Sequence, residues 1–313
     1  MNILVCGGAG FIGTNYILQS ISFFSKETNF RVIDKLTYAG SFEPFFNTKV
    51  ECIHGDICDY SLMYRQIDWA DLVINFAAES HVDNSIKSAI PFVKANVLGA
   101  QNIFEIACKF KNKNIVQIST DEVYGSKVSG DSYEGDALFP NSPYSASKAS
   151  ADLFARAYEK TFGLKLITIR PCNNFGPYQN VEKFIPLSIT KLISGDKISI
   201  YGDGSNIREW IFVADTCEAI NLLIQSEQWG ETFNIGSGFK LTNIDLAKMI
   251  CQKLNASYDM ISFIGDRPGH DFRYSLNTSK LDNLGIELTG NFESNLEKTI
   301  EWYIDNTSWW SAR

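Results

Sequence analysis

The sequence predicts an α/β fold, a doubly wound parallel sheet with a smaller C-terminal lobe, and three observations predict it. Short apolar runs alternate with longer amphipathic ones up to Arg170, as strands alternate with covering helices in a parallel sheet. The first apolar run passes through a glycine-rich turn directly into a helix-like stretch. Beyond Arg170 the alternation gives way to glycine- and proline-rich loops (NNFGPYQ, YGDGSN, GDRPGH) between shorter elements.

In chain order, strands are expected at Asn2–Cys6, Phe30–Asp34, Val50–Ile53, Leu72–Phe76, Asn114–Ser119 and Leu166–Arg170. Helices are expected at Phe11–Ser22, Tyr60–Gln66, Pro91–Lys109 and Tyr144–Phe162, and the tail LEKTIEWYIDN has helical spacing before an aromatic pair, Trp309–Trp310. Residues 1–170 read as one domain, with a return to it near 209–235, and residues 171–313 read mainly as a second lobe that holds a substrate. There is no internal repeat and no low-complexity tract.

Composition narrows the function. The net charge is −8 with no run of basic residues, which argues against nucleic acid or a membrane surface as partner. No apolar run approaches a membrane span, and the chain opens directly on the strand NILVC, leaving no room for a signal peptide. Seven cysteines, an odd count without a C-x-x-C pair, and three scattered histidines point to reduced thiols in the cytoplasm, with neither a disulfide framework nor a metal site.

The glycine-rich turn is GGAGFIG. Counted from Gly8 it reads G-x-G-x-x-G, and counted from Gly7 it reads G-x-x-G-x-x-G. Glycines there let a pyrophosphate approach the backbone, and the helix that follows offers unpaired N–H groups and a favourable dipole. The context is that of a Rossmann-type dinucleotide site: a strand before, a helix after, and Asp34 ending the second strand roughly 20 residues on. An acid at Asp34 bonds both hydroxyls of an adenosine ribose and repels a 2′-phosphate, so the expected cofactor is NAD. Asp56, in HGDICD, is placed to accept from an adenine amino group.

Two further motifs carry chemistry. Tyr144 and Lys148 form Y-x-x-x-K at a helix start, one turn apart on the same face, where the ammonium is expected to lower the phenol's pKa and make it a base. In ISTDEVYG, Asp121 and Glu122 form a carboxylate pair at the end of an apolar strand, each resisting ionisation of the other. One base and one acid held close together suit an elimination. If the chain stays extended there, alternation aims the two side chains apart.

Together with DKLTYAG, FAAESHVDNSI, NSPYSASKAS, CNNFGPYQ, YGDGSNIREW, NIGS and DRPGHDFRY, these motifs resemble an extended short-chain dehydrogenase/reductase, nearly end to end. They are most similar to the nucleoside-diphosphate-glucose 4,6-dehydratases. That resemblance implies NAD-dependent oxidation at sugar C4, loss of water across C5 and C6, and return of the hydride to C6. Glu122 takes the C5 proton, Asp121 protonates the departing hydroxyl, and Thr120 bonds the C4 oxygen beside Tyr144 and Lys148. The dinucleotide is then lined by Gly7, Gly10, Phe11, Ile12, Gly13, Asp34, Asp56, Ile57 and Ala77, with Tyr144 and Lys148 at its reactive end. A nucleotide-sugar substrate falls to Ser80, Asn173, Lys183, Tyr201, Arg208, Asn243, Arg267 and His270, the arginines being suited to a diphosphate by their planar fork.

The chain departs from the family pattern at Asn84, Phe175 and Glu209, where Arg, Tyr and Asp are usual, and at Cys6 and Cys172. HVDNS is similar to UDP-glucose dehydratases, whereas the FGPYQ and DRPGHD segments favour the dTDP type. A UDP-glucose or UDP-N-acetylhexosamine enzyme stays open, as does a non-catalytic NAD-dependent sensor. A homodimer is expected from the resemblance and from apolar residues on several sides of two helices, among them Phe104, Ile106, Leu153 and Phe154.

Overall fold

The computed structural model describes residues 1–288 and 290–311. These form twelve strands: β1 (Asn2–Cys6), β2 (Asn29–Asp34), β3 (Glu51–His54), β4 (Leu72–Asn75), β5 (Asn114–Ile118), β6 (Lys165–Pro171), β7 (Asn173–Phe175), β8 (Ile198–Tyr201), β9 (Ile207–Phe212), β10 (Thr232–Ile235), β11 (Lys240–Thr242) and β12 (Ile261–Ile264). Seven of them make one sheet in the order β10–β6–β5–β4–β1–β2–β3. Every neighbouring pair in it is parallel.

Strand alternation explains why both faces of this sheet are apolar. Ile3, Val5, Val32, Ile74 and Val116 point one way and pack with Tyr16 and Ile17 of the helix Phe11–Phe23 and Ile220 and Leu223 of the helix Val213–Gln225. Leu4, Cys6, Ile33, Val73 and Ile115 point the other way, onto Met63 and Ile67 of the helix Tyr60–Trp69, Ile103 of Ala100–Ala107, and Ala151 and Ala155 of Pro143–Phe162. Burial on both faces is what a parallel sheet requires. The chain beyond β6 adds β10 to the sheet's edge and builds two small sheets, β11–β9–β7 and β12–β8. Their own core joins Phe175, Trp210, Leu246, Leu296 and Tyr303.

The six expected strands are present, each end displaced by no more than one residue. Two expectations about helices need correction. The stretch expected as one helix over Pro91–Lys109 is Ile90–Phe92, a π-helical turn Val93–Gly99, and Ala100–Ala107. A π turn accommodates one extra residue locally and re-aims the side chains in it. Here it holds Asn96, whose amide accepts from Glu79 N–H (2.8 Å) and donates to Glu79 O (3.0 Å) and to Ser147 Oγ (2.8 Å). Second, Phe104 and Ile106 are fully buried in the core and leave no surplus apolar surface, whereas Leu153 (60% exposed) and Phe154 (40%) are outside it. The helix Pro143–Phe162 begins where its sequence dictates, at a capping box in which the side chains of Ser142 and Ser145 bond each other's backbone N–H. Pro143 supplies the first helical residue and Gly163, at φ 68°, ends the helix. Among the described residues no helix is long and apolar enough to cross a membrane.

Candidate active site

The glycine turn settles which frame of the motif matters. Gly7 has φ 69°, and a Cβ there would lie 2.4 Å from the Ala77 backbone. A Cβ on Gly13 would lie 2.6 Å from the Gly7 carbonyl oxygen. The fold itself demands glycine at both. Gly10 differs: its nearest neighbour would be 3.4 Å away, ordinary contact, so the fold leaves room there for a side chain. Gly10 is the N-cap of the helix Phe11–Phe23, which has neither a side-chain cap nor an acid in its first turn. A glycine the protein does not need, at an uncapped positive helix end, fits a phosphate seated against the backbone.

The cleft above this turn is lined by all of Gly7, Gly10, Phe11, Ile12, Gly13, Asp34, Asp56, Ile57, Ala77, Tyr144 and Lys148, together with Ser80 and Lys183. Asp34 is fixed at the end of β2 by two backbone donors, Leu36 N–H to Oδ1 (2.8 Å) and Ala9 N–H to Oδ2 (3.1 Å). Burial raises its pKa against the pull of those bonds. Asp56 pairs with Lys35 Nζ at 2.7 Å and caps the turn at Cys58 N–H (2.9 Å). Its oxygens are thus already engaged, which leaves an adenine amino group a shared partner. The donors, the cradle at Gly10 and the acid at Asp34 fit a dinucleotide with a free 2′-hydroxyl.

At the other end of the cleft, Thr120 follows β5 in extended conformation (φ −160°, ψ 155°), and Asp121–Tyr124 then turn into a 3₁₀ helix. The acid pair therefore does not lie on extended chain, as alternation required. Successive residues of such a turn point about 120° apart, which separates the two carboxyls by a different geometry. Thr120 is the hub. Its hydroxyl donates to Asp121 Oδ1 (3.1 Å), accepts from Glu122 N–H (3.3 Å) and draws the pKa of the nearby Tyr144 phenol down against burial. Lys148 Nζ donates to Ile118 O at 2.6 Å from the same helix face as Tyr144.

The electrostatics split the carboxylates. Burial, with the Glu122 and Glu209 charges nearby, raises Asp121 well above the usual carboxylate range. Its Oδ2 is buried with no hydrogen-bond partner among the described residues. Glu122 is also raised by burial, but Arg267, Arg208 and Lys183 all pull it back. Both carboxyls are raised, Asp121 the more strongly, so the proton is held more firmly on Asp121 than on Glu122. Burial lowers Lys148 to about 8. The expectation for Tyr144 is overturned: burial and the Glu122 charge raise the phenol's pKa, and these outweigh any help from its neighbour one turn away.

Of the eight remaining expected residues, Ser80 and Lys183 line the cleft, and Lys183, Arg208 and Arg267 bring their charges onto Glu122. Lys183 Nζ donates to Ser80 O at 2.8 Å. Arg208, 5% exposed, is held by the carbonyls of Ile207 and Asp271 (2.8 Å each) and lies over the Tyr274 ring at 4.5 Å, without an ion pair among the described residues. Arg267 meets Asp83 at 3.4 Å, and the same carboxylate accepts from Tyr201 OH at 2.9 Å. His270 Nδ1 is 2.6 Å from Asp266, a contact that ties the DRPGH loop to itself. Asn173 sits on β7 opposite Trp210. Asn243 opens the helix Asn243–Lys253, its N–H bonded to Asn206 O (3.0 Å), and is set apart from the cleft lining.

Sequence reasoning missed the supports. Asp83 lies inside HVDNSI and was given no role. Asp152, one further turn beyond Lys148, is buried and pairs with Arg170 Nε at 2.8 Å. Arg170 also donates to Tyr124 OH (2.7 Å), which donates in turn to Asn234 (2.7 Å). The Y-x-x-x-K-x-x-x-D spacing was the one available signal. Glu209 accepts from Gly238 N–H (2.9 Å) and Leu276 N–H (3.0 Å), and a Cβ on Gly236 would meet it at 2.2 Å.

A parallel dinucleotide sheet with Tyr144 and Lys148 beside its glycine turn defines an extended short-chain dehydrogenase/reductase. The chain belongs to the GDP-mannose 4,6-dehydratase family, whose model matches residues 4–299. It is 43% identical to the dTDP-glucose 4,6-dehydratase of Streptomyces niveus, over 99% of this chain and 95% of that one. It is 42% identical to the low-salt glycan biosynthesis protein Agl12 of Haloferax volcanii, over 97% and 99%. The crystal structure of DesIV, a dTDP-glucose 4,6-dehydratase from Streptomyces venezuelae with NAD and TDP bound, matches with a TM-score of 0.96 at 42% identity, covering 100% of this chain and 99% of that one.

Proposed function

We propose that this chain is an NAD-dependent dTDP-glucose 4,6-dehydratase. The observation that carries the reading is the acid pair Asp121–Glu122 gathered on the single hydroxyl of Thr120, beside Tyr144. A dehydrogenase alone has no use for two buried carboxyls of unequal proton affinity beside its tyrosine. Identity with dTDP-glucose enzymes over the whole chain supports the nucleotide. Asp34 supports NAD over NADP, because a 2′-phosphate would face its charge.

NAD held in this cleft would supply the acceptor for a hydride from C4 and the donor that returns it to C6. Tyr144 takes the C4 hydroxyl proton, and Thr120 steadies the oxygen left behind. Lys148 anchors the tyrosine's face of the helix to Ile118 O and lends its charge. The C4 ketone makes the C5 proton acidic; Glu122 removes it, Asp121 hands its own proton to the C6 hydroxyl, which leaves as water, and Glu122 returns its proton to C5 as C6 gains the hydride. Arg208, Arg267 and Lys183 supply positive charge for a diphosphate and, in the same positions, keep Glu122 ionisable.

The test is isotopic. Substrate carrying deuterium at C4 should yield product with deuterium at C6 and no net reduced cofactor. Reduced cofactor growing in proportion to product would mark a simple dehydrogenase, and faster turnover of UDP-glucose or UDP-N-acetylglucosamine than of dTDP-glucose would reassign the nucleotide.

The reading includes a homodimer. Val93, Leu98, Leu153, Phe154 and Phe162 are all exposed on the stretch 90–107 and the helix Pro143–Phe162. Apolar surface concentrated on two neighbouring helices suits an isologous interface. Light scattering at micromolar concentration should give twice the chain mass, and a monomer mass would exclude it. Seven unpaired cysteines support the cytoplasm as its place.

A further inference from the structure

Two loops from distant parts of the chain face each other across the dinucleotide cleft. Residues 35–41, after β2, contribute Thr37, Ala39 and Gly40 to its lining, and residues 177–183 contribute Gln179, Asn180, Glu182 and Lys183. A direct hydrogen bond joins them: Tyr38 OH donates to Glu182 Oε1 at 3.0 Å, between residues 144 apart in sequence.

Each loop is anchored independently of that bond. The first is held at its two ends, by Leu36 N–H on Asp34 Oδ1 (2.8 Å) and Ser41 N–H on Ala9 O (3.0 Å). The second is held by Asn15 Nδ2 on Pro177 O (2.9 Å), by the Tyr303 hydroxyl on Gln179 O, and by Lys183 Nζ on Ser80 O (2.8 Å). Tyr178 packs in addition on Trp302 (4.9 Å between centroids) and Trp309 (5.9 Å), the aromatic cluster at the C-terminal end of the described chain. The loops are therefore firm at their bases and meet at their tips. Tyr38 is 50% exposed, which puts the contact at the mouth of the cleft, not in its floor.

We propose that Tyr38 and Glu182 form a clasp over the cleft that holds the dinucleotide in place through the whole reaction. The proposal rests on the NAD reading above. It gives that reading a physical requirement: a cofactor used twice in one turnover must not leave between the two uses. The clasp pair are positioning residues. Neither is assigned to proton or hydride transfer.

The test is cofactor release measured without sugar. Holoenzyme loaded with NAD is freed of excess by gel filtration, and bound NAD is followed by absorbance after chromatography of timed samples. Tyr38→Phe removes one hydroxyl and should release NAD about tenfold faster, the scale of losing one hydrogen bond to a charged group. Glu182→Leu, which removes the acceptor, should do the same, and the double variant should be no faster than Glu182→Leu alone, since both break one bond. A merely structural role is excluded by two further readings. The thermal unfolding midpoint of the cofactor-free Tyr38→Phe protein should fall by no more than about 2–4 °C, the scale of one hydrogen bond, and saturating NAD in the assay should restore its turnover to the parent's. Release from Tyr38→Phe at the parent's rate overturns the clasp, as does additivity of the two substitutions. Failure of the parent to bind NAD at all would instead overturn the functional reading, so the two failures are distinguishable.

Discussion

Glu122→Gln is expected to slow formation of the 4-keto-6-deoxy product by about 10²–10⁴, the usual contribution of a general base. Glutamine keeps the shape and the hydrogen-bonding reach of glutamate but accepts no proton. Oxidation at C4 depends on Tyr144, so reduced nicotinamide should still build up on the enzyme in a single turnover, now with nothing to consume it. The pH dependence follows from the two carboxyls. The base works only when ionised, and burial raises Glu122, so the parent's elimination rate should fall as pH drops through that raised pKa. The acid works only when protonated, and Asp121 is raised further still, so the alkaline limb belongs to its ionisation. In Glu122→Gln the acid limb should vanish. Product at the parent rate would show that another group is the base.

How much of this was visible beforehand depended on range. The central first-half strands were legible because burial on both faces leaves continuous apolar runs, as in NILVC and LVIN. The glycine turn was legible because its spacing is local: Gly13 is demanded by the Gly7 carbonyl six residues back, although the contact that demands Gly7 itself is with distant Ala77. The acid pair was legible as residue types but not as geometry, since nothing in STDEVYG distinguishes extended chain from a 3₁₀ turn. The π turn at Val93–Gly99 was illegible for a related reason: it follows from where Asn96 must reach, to Glu79 and Ser147, and those partners are 17 and 51 residues away. Phe104 and Ile106 looked like surplus apolar surface because a helical wheel does not say how many neighbours surround the helix. The supports Asp83, Glu182 and Arg170 each act on a residue far off in sequence, so only Asp152, in step with Tyr144 and Lys148, left a local trace.

Tyr144→Phe is expected to fail a step earlier than Glu122→Gln, and by a comparable factor of about 10²–10⁴. Phenylalanine fills the same space against Phe92, whose ring lies 6.3 Å away, but has no oxygen to take the C4 proton. Little reduced nicotinamide should form on mixing with substrate, so the two variants separate in one absorbance trace. The fold should survive. The change deletes one hydroxyl and leaves the neighbouring Thr120 its bond to Asp121, a loss on the scale of about 1 kcal/mol. Removing the phenol also leaves Lys148 with its own titration to show. Its folded pKa of about 8 lies below the usual 10.5, so between those values the unfolded chain holds a proton that the folded chain has released. Stability contributed by this residue therefore grows as pH rises from about 8 toward 10.5, in the parent and in Tyr144→Phe alike, and Lys148→Met should lose that slope. A Tyr144→Phe enzyme that still reduced its bound cofactor at the parent's rate, with its melting temperature intact, would take the tyrosine out of the mechanism.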